Sequence, residues 1–318
     1  MRIAGSPDVL VVNTPEQFED VLKTHFEVFD KGPFMNEILQ DLLGAGIFGV
    51  DGVQWGHIRA IDDTVLGIIE QALAKRAIAG PTGKKDIVSL FLDNVSADSS
   101  ATGSFDPVYL RDIVVNFLIA GRDTTAQALS WFFFMLSENP RVEAKIRHEL
   151  QAKLPELCFG QVHTPSMEQT GELVYLEAAL RETLRLHPSV PVNSKNANRD
   201  VTLSDGSFGD SVVISSYLLA RMTHVWGHDA KEFNPDRWID PQTGKLITVS
   251  TFKFTAFHAG PRTCLGMNLA MMEMKIVAAM VLSKFHLELV PGQNVTYDLS
   301  LTHPIKGELL MTVIPVKT

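Results

Sequence analysis

The sequence predicts a mainly α chain with a minor β component, and three observations carry that expectation. A helical pattern without proline runs from Asp106-Pro107 to about Ser137, roughly 46 Å at 1.5 Å per residue. At least four further segments repeat apolar residues at i, i+3 and i+4. Strand-like alternation is confined to the two ends and to one short stretch near Val201 to Val213. With 318 residues, 45% apolar and 20% charged, the chain has ordinary globular composition and ample material for a core.

Asp8 to Val12 reads as a strand, and Thr14-Pro15-Glu16-Gln17 then has capping-box order with proline at the first helical position. Glycines from Gly44 to Gly56 mark a turn-rich hinge, Ile61 to Arg76 recovers helical spacing, and Asp93 to Asp106 is a polar linker. The long helix that follows is apolar almost all round (Val114, Val115, Phe117, Leu118, Trp131 to Met135), which places it centrally in the fold. Its middle nevertheless reads Ala120-Gly121-Arg122-Asp123-Thr124-Thr125. A glycine, two charges and two β-branched alcohols suit a buried helix poorly. Such a break marks a working site or a polar face against another polar surface. Asn139-Pro140 caps the next helix, a loop spans His163 to Glu172, and a helix from Leu173 to Leu186 stops at Pro188. Val201 to Val213 has the pattern of a hairpin around Asp205-Gly206. Leu265 to Phe285 reads as an amphipathic helix, and His286 to Val316 as strands with turns at Pro291-Gly292 and Lys306-Gly307.

Charge and composition exclude several classes. The net charge of −9 removes the electrostatic footprint of a nucleic-acid binder. No stretch approaches the ~18 uninterrupted apolar residues of a spanning helix, and the N-terminus lacks signal-peptide regions. Two cysteines, Cys158 and Cys264, do not make a disulfide framework and point to a reducing compartment.

Chemistry concentrates in Phe257-His258-Ala259-Gly260-Pro261-Arg262-Thr263-Cys264-Leu265-Gly266. A cysteine in a Gly/Pro loop just ahead of a helix is biased toward thiolate by the helix dipole and open N–H groups. Glycines let backbone pass close to something bulky, and Arg262 adds a fixed cation. A thiolate without a second cysteine or a histidine pair suits a metal held mostly by another group, such as haem. Cys158, between Leu157 and Phe159, reads as a buried structural thiol. His224 and His228 stand at i,i+4 spacing, but no third ligand supports a metal pair and solvated histidines are expected there.

On these residues the sequence resembles the cytochromes P-450, the haem-thiolate monooxygenases. Phe257-x-x-Gly260-x-Arg262-x-Cys264-x-Gly266 matches that family's haem-binding signature at every fixed position. Ala120-Gly121-x-Asp123-Thr124-Thr125 matches its oxygen-activating helix, Glu182-x-x-Arg185 its structural ion pair, and Phe233-x-x-x-Arg237-Trp238 the nearby arginine segment. The neighbourhood of these motifs is most similar to the fatty-acid ω-hydroxylase branch. The resemblance implies a P-450 fold with haem b on Cys264 and a proton relay through Asp123 and Thr124. It also implies a buried network of Glu182, Arg185 and Arg237, with propionates gripped by Arg262, Lys195, Trp55 and Arg59. Electrons would come from NADPH through a separate flavoprotein reductase, since no Gly-rich dinucleotide fingerprint follows a strand here. Arg141, Lys145, Arg147 and Lys275 offer either a docking face for that reductase or a solvated helix face. The resemblance implies a hydrophobic small-molecule substrate of the fatty-acid class and the endoplasmic reticulum membrane as the location, although no anchor segment precedes the first strand.

The resemblance comes in two pieces of one catalytic domain, residues 1 to 59 and 61 to 318. Only 65 residues separate Trp55 from Ala120, fewer than the family uses, so the fold is expected to be internally truncated in its middle helices. Two alternatives stay open: a shortened, non-enzymatic relative that fails to assemble the haem pocket, and a peroxide-using relative, against which the Asp123-Thr124 pair argues.

Overall fold

The computed structural model describes residues 9–43, 48, 50–52, 55–56, 107–207, 209–298 and 300–316. The helix expected over Ile61 to Arg76, the linker Asp93 to Asp106, most of the glycine hinge and Arg59 lie outside the described residues.

The chain starts with strand β1 (Val9–Val12) and helix α1 (Pro15–Glu19), which continues as a π-helical turn over Asp20–Thr24. The capping box is present: the Thr14 hydroxyl accepts from Gln17 N, and the Gln17 side chain accepts from the Asn13 and Thr14 N–H groups. Strand β2 (Phe29–Asp30) leads into α2 (Gly32–Leu43). Helix α3 (Pro107–Glu138) is the 32-residue central helix, followed by α4 (Pro140–Lys153) and the short α5 (Pro155–Cys158). Asn139 does not cap α4 with its side chain; its Nδ2 instead donates back to Met135 O at 2.7 Å, while Pro140 opens the helix. The stretch read as a loop before Glu172 contains a helical turn, α6 (Met167–Gly171), closed by a second capping box at Ser166. Helix α7 (Val174–Leu186) then precedes β3 (Asn193–Ala197) and β4 (Ser211–Ile214).

The order of the first sheet is β1-β4-β3-β2, with β1 parallel to β4 and the other pairs antiparallel. The hairpin expected around Asp205-Gly206 is thus corrected. The tight turn is there, with Gly206 at φ 83°, but β4 pairs with β3 and β1 and no strand forms at Val201. Burial decides this, because Val212 and Ile214 point into the apolar layer with Val12, Phe18 and Leu22. After the turns α8 (Ser216–Leu219) and α9 (Thr223–Trp226), the helix after Cys264 is α10 (Met267–Leu282), shorter at both ends than its pattern. A two-stranded antiparallel sheet of β5 (Phe285–Leu289) and β6 (Met311–Pro315) ends the chain.

Two apolar layers result. The larger packs α3, α4, α7 and α10 through Phe132, Ile146, Leu150, Leu176, Leu180 and Ala278. The smaller lies between the first sheet and α1. The segment 252–266 runs between them: Phe257 packs on the first layer and Ala259 is buried in the second.

Candidate haem-thiolate site

The loop around Cys264 is shaped by backbone constraints. Gly260 adopts φ 68°, and a Cβ there would overlap the Leu22 carbonyl oxygen, so only glycine serves. His258 is a non-glycine residue at φ 62°, a conformation whose cost the surrounding packing must offset. The turn is closed by Cys264 N donating to Phe257 O at 2.8 Å and Thr263 N to Gly260 O at 3.0 Å. The Cys264 residue itself is exposed and stands three positions ahead of α10, whose N-cap, Gly266, makes no side-chain cap bond. The local geometry holds the cysteine in place with the residue exposed.

Cations gather beside this loop. Arg262 Nη2 donates to Asp51 Oδ1 at 2.5 Å, and its guanidinium lies 4.6 Å from the Trp55 ring centroid. Trp55 is buried and packs on Phe26 at 5.3 Å. Lys195 sits in β3 opposite Val212, 2% exposed, and its Nζ finds no hydrogen-bond partner among the described residues. Lys31, at the entry to α2, donates its backbone N–H to Asp51 Oδ2 at 2.9 Å and its Nζ to the Phe48 carbonyl. Burial, then the nearby Arg262 and Lys195 charges, pull the Lys31 pKa down to about 7. Burial and Arg262 lower that of Lys195 to about 8. Burial, with Lys195, Arg262 and Lys31 adding repulsion, brings His258 to about 4, so it is neutral at pH 7. Lys31, Asp51 and His258 were not singled out by the sequence. A lysine before a helix and an aspartate among glycines carry no local signal, since their partners lie far along the chain.

The middle of α3 is held locally. Thr124 Oγ1 donates to Ala120 O at 2.5 Å, and Asp123 Oδ1 accepts from Arg122 Nε at 2.7 Å on an exposed face. Ser189 Oγ donates to Thr124 O at 3.0 Å, and Gln127 to Thr302 at 2.9 Å. These bonds bring the segment after α7 and the loop before β6 against the same stretch of α3. The Trp131 ring stacks on His187 at 4.0 Å and on His303 at 5.3 Å, which fixes that junction.

Glu182, Arg185 and Arg237 meet in one buried network. Arg185 forks onto Glu182 through two bonds of 2.8 Å. Arg237 Nε reaches Glu182 Oε1 at 2.9 Å, Trp238 Nε1 reaches Oε2 at 2.9 Å, and Asp229 takes the far side of Arg237 at 2.9 Å. The remaining Arg185 donors meet the carbonyls of Ala220, Ala230 and Glu232. Two of the four basic residues offered as a docking face are corrected. Arg147 turns inward to Glu143 and the Phe285 carbonyl, and Lys275 is buried on Glu177 at 2.8 Å. Arg141 and Lys145 stay exposed. Among the described residues, no group of three His, Cys, Asp or Glu side chains is arranged to hold a metal by itself.

The sequence model of the family described as Cytochrome P450 matches residues 54–311. The chain belongs to the cytochrome P450 family. It is similar to "Cytochrome P450 86B1" of Arabidopsis thaliana, 37% identical over 81% of this chain and 47% of the relative. It is likewise similar to "Cytochrome P450 704C1" of Pinus taeda, 39% identical over 84% of this chain and 54% of the relative. A third, "Alkane hydroxylase MAH1" of Arabidopsis thaliana, is 40% identical over 64% of this chain and 39% of the relative. The chain spans about half the length of the curated relatives it matches.

Cytochromes P450 use haem iron with electrons from a redox partner. The residues present fit that group. One thiolate-forming side chain is exposed, and a buried lysine ammonium lacks a partner among the described residues. Among the described residues, a Cβ at Gly121 or Gly266 would meet no atom within 4 Å. No helix among the described residues is long and apolar enough to cross a membrane.

Proposed function

We propose that this chain is a haem-thiolate monooxygenase acting on hydrophobic substrates of the fatty-acid class, with ω-hydroxylation as its reaction. The observation that carries the reading is the exposed Cys264, held in a glycine-shaped loop beside the cations Arg262 and Lys195. One oxygen atom of O2 enters a C–H bond and the other leaves as water, balanced by two electrons from NADPH and two protons. Bound haem supplies the reductive activation of oxygen. The chain's own residues do the rest. Cys264 would hold the haem iron through its thiolate, stabilised by the amide groups ahead of α10. Asp123, on an exposed face of α3, takes protons from solvent, and the Thr124 hydroxyl rotates away from Ala120 O to pass them on. Phe257, Gly260 and Gly266 would shape the loop around the ligand, while Arg262, Lys195, Trp55 and Arg59 would hold the propionates. Glu182, Arg185 and Arg237 keep that side of the core closed.

Leu118, Val190, Val192 and Leu301 present exposed apolar side chains on the elements that meet around Thr124. Those exposed apolar side chains support a hydrophobic substrate, as do relatives whose names include an alkane hydroxylase. Residues 1–59 and 61–318 act as one catalytic domain in this reading, supported by the β1–β4 pairing and the Arg262–Asp51 ion pair. A separate NADPH-dependent flavoprotein supplies electrons, and the endoplasmic reticulum membrane is the proposed location.

The short interval between Trp55 and Ala120 favours a second reading, a non-enzymatic relative whose pocket stays open and which does not retain haem. The reduced, carbon-monoxide-bound absorption spectrum of the purified chain decides between them. A strongly red-shifted Soret band that disappears in Cys264→Ala supports the first reading. Absence of haem, or a band that Cys264→Ala leaves unchanged, overturns it.

A further inference from the structure

We infer that Trp131, His303 and Tyr297 form an electron-transfer relay from α3 to the protein surface, which drains oxidising equivalents left at the haem when no substrate is oxidised. This rests on the proposed haem-thiolate reading. Trp131 stands seven residues beyond Thr124 on α3, roughly 10 Å along the helix. Its indole is buried, and ring follows ring from there: His303 lies 5.3 Å away between centroids, and Tyr297 lies 5.0 Å from His303. Tyr297 is 44% exposed, so the series ends in solvent. The backbone fixes this order. Trp131 Nε1 donates to the His303 carbonyl at 2.8 Å, and the His303 N–H donates to Ser189 O at 2.9 Å.

The His303 side chain supplies what a mere packing ring would not. It is 2% exposed, yet neither ring nitrogen has a hydrogen-bond partner among the described residues. Burying such groups bare is costly, so packing alone is better served by an apolar ring. Burial, then the Arg221 charge, lowers the His303 pKa to about 4, so the imidazole is neutral at pH 7 and one nitrogen keeps a free lone pair. Tyr297 needs such a base, because a phenol that loses an electron becomes a strong acid. The step then balances. Trp131 gives one electron to the peroxide-oxidised haem, Tyr297 gives one to Trp131, and the phenolic proton goes to the His303 imidazole. A soluble thiol then returns a hydrogen atom to Tyr297, and His303 releases its proton to solvent. Tyr217 also adjoins His303, at 5.5 Å, but it is the poorer end of the series. The Arg221 guanidinium lies 3.5 Å over its ring and opposes the loss of an electron there.

A purely packing role would leave Tyr297 no more reactive than the other tyrosines. The purified chain is loaded with haem, read by Soret absorbance, and given hydrogen peroxide and a nitroso spin trap without substrate. Trapped radicals are located by peptide mass spectrometry, and haem bleaching is followed in parallel. Two variants are compared: Tyr297→Phe, which keeps the ring contacts, and His303→Phe, which keeps a ring but no base. The expected result is trapping at Tyr297 in preference to Tyr217 and to Tyr175, which lies elsewhere beside Lys145. His303→Phe is expected to lose most of that trapping, and Tyr297→Phe to bleach its haem several-fold faster. Trapping spread evenly over the tyrosines, trapping undiminished in His303→Phe, or bleaching unchanged in Tyr297→Phe would overturn the relay. Each of these, obtained with a thiolate-type spectrum, leaves the wider reading standing, whereas no haem uptake by the unsubstituted chain overturns both.

Discussion

Around Glu182, two carboxylates and two guanidinium groups interlock in the core, and Arg185 finds carbonyls for its remaining donors. Around Lys195, three cations crowd together with Asp51 as their principal counter-charge, and one ammonium is buried without a partner among the described residues. Both clusters join segments far apart in the chain. The first is closed by its own groups and serves cohesion; the second leaves the Lys195 ammonium without a hydrogen-bond partner among the described residues. Buried charge therefore has opposite consequences in the two places, and stability measurements on the haem-free chain can tell them apart.

The largest effect is expected at the complete cluster. Glu182→Ala strands the buried Arg185, the part-buried Arg237 and the Trp238 N–H, and a loss of about 3–5 kcal/mol is expected by urea denaturation. A loss under about 1 kcal/mol would show that the network is not cohesive. At the incomplete cluster the sign reverses. Lys195→Met removes an unpartnered buried charge, so the haem-free chain is expected to gain roughly 1–2 kcal/mol while its haem affinity falls. Destabilisation instead would mean that Lys195 is already satisfied.

The pH dependence sharpens the same contrast. Lys31 and Lys195 have pKa values of about 7 and about 8 in the folded chain, against 10.5 ordinarily. Between those values the unfolded chain binds more protons, so stability of the haem-free chain is expected to rise as pH increases from about 7 toward 10. Haem, by restoring the lysine charges, is expected to flatten that rise. Denaturation midpoints at a series of pH values, with and without haem, check this. On the acid side, burial holds His187 at about 3 and His258 at about 4, against 6.5 ordinarily. Their contribution is full above pH 6.5 and is lost as pH falls toward those folded values.

The smallest effect is expected next door to the first cluster. Asp236 adjoins Arg237 in sequence, but its partner Lys145 and its own carboxylate are largely exposed. Asp236→Asn is expected to change stability by less than about 1 kcal/mol. A larger change would mean that the Glu182 network reaches the surface.

Much of this was legible along the chain. The capping box at Thr14, the central helix, the cysteine loop ahead of a helix and the Glu182/Arg185 spacing all depend on residues within a few positions of one another. Their physics is local: helical period, turn chemistry and side-chain caps act over one or two turns. Arg147 and Lys275 show where this stops. Both sit on helices with polar patterns, and both were read as candidates for a solvated or docking face. Only packing turned Arg147 onto Glu143 and Phe285, and Lys275 onto Glu177.

The same division separates the two charged clusters. Glu182 and Arg185 are three residues apart on one helix, a spacing that permits their pairing and that the family resemblance singled out. Lys31, Asp51, Lys195 and Arg262 come from an element entry, a turn, a strand and a loop, and no periodicity connects them. Likewise, the Asp205-Gly206 turn was legible, but the strand that Val212 and Ile214 joined was not, because strand pairing is chosen by which face is buried. Local order followed from the residues themselves, whereas long-range charge convergence and sheet partners were decided by how the apolar layers closed.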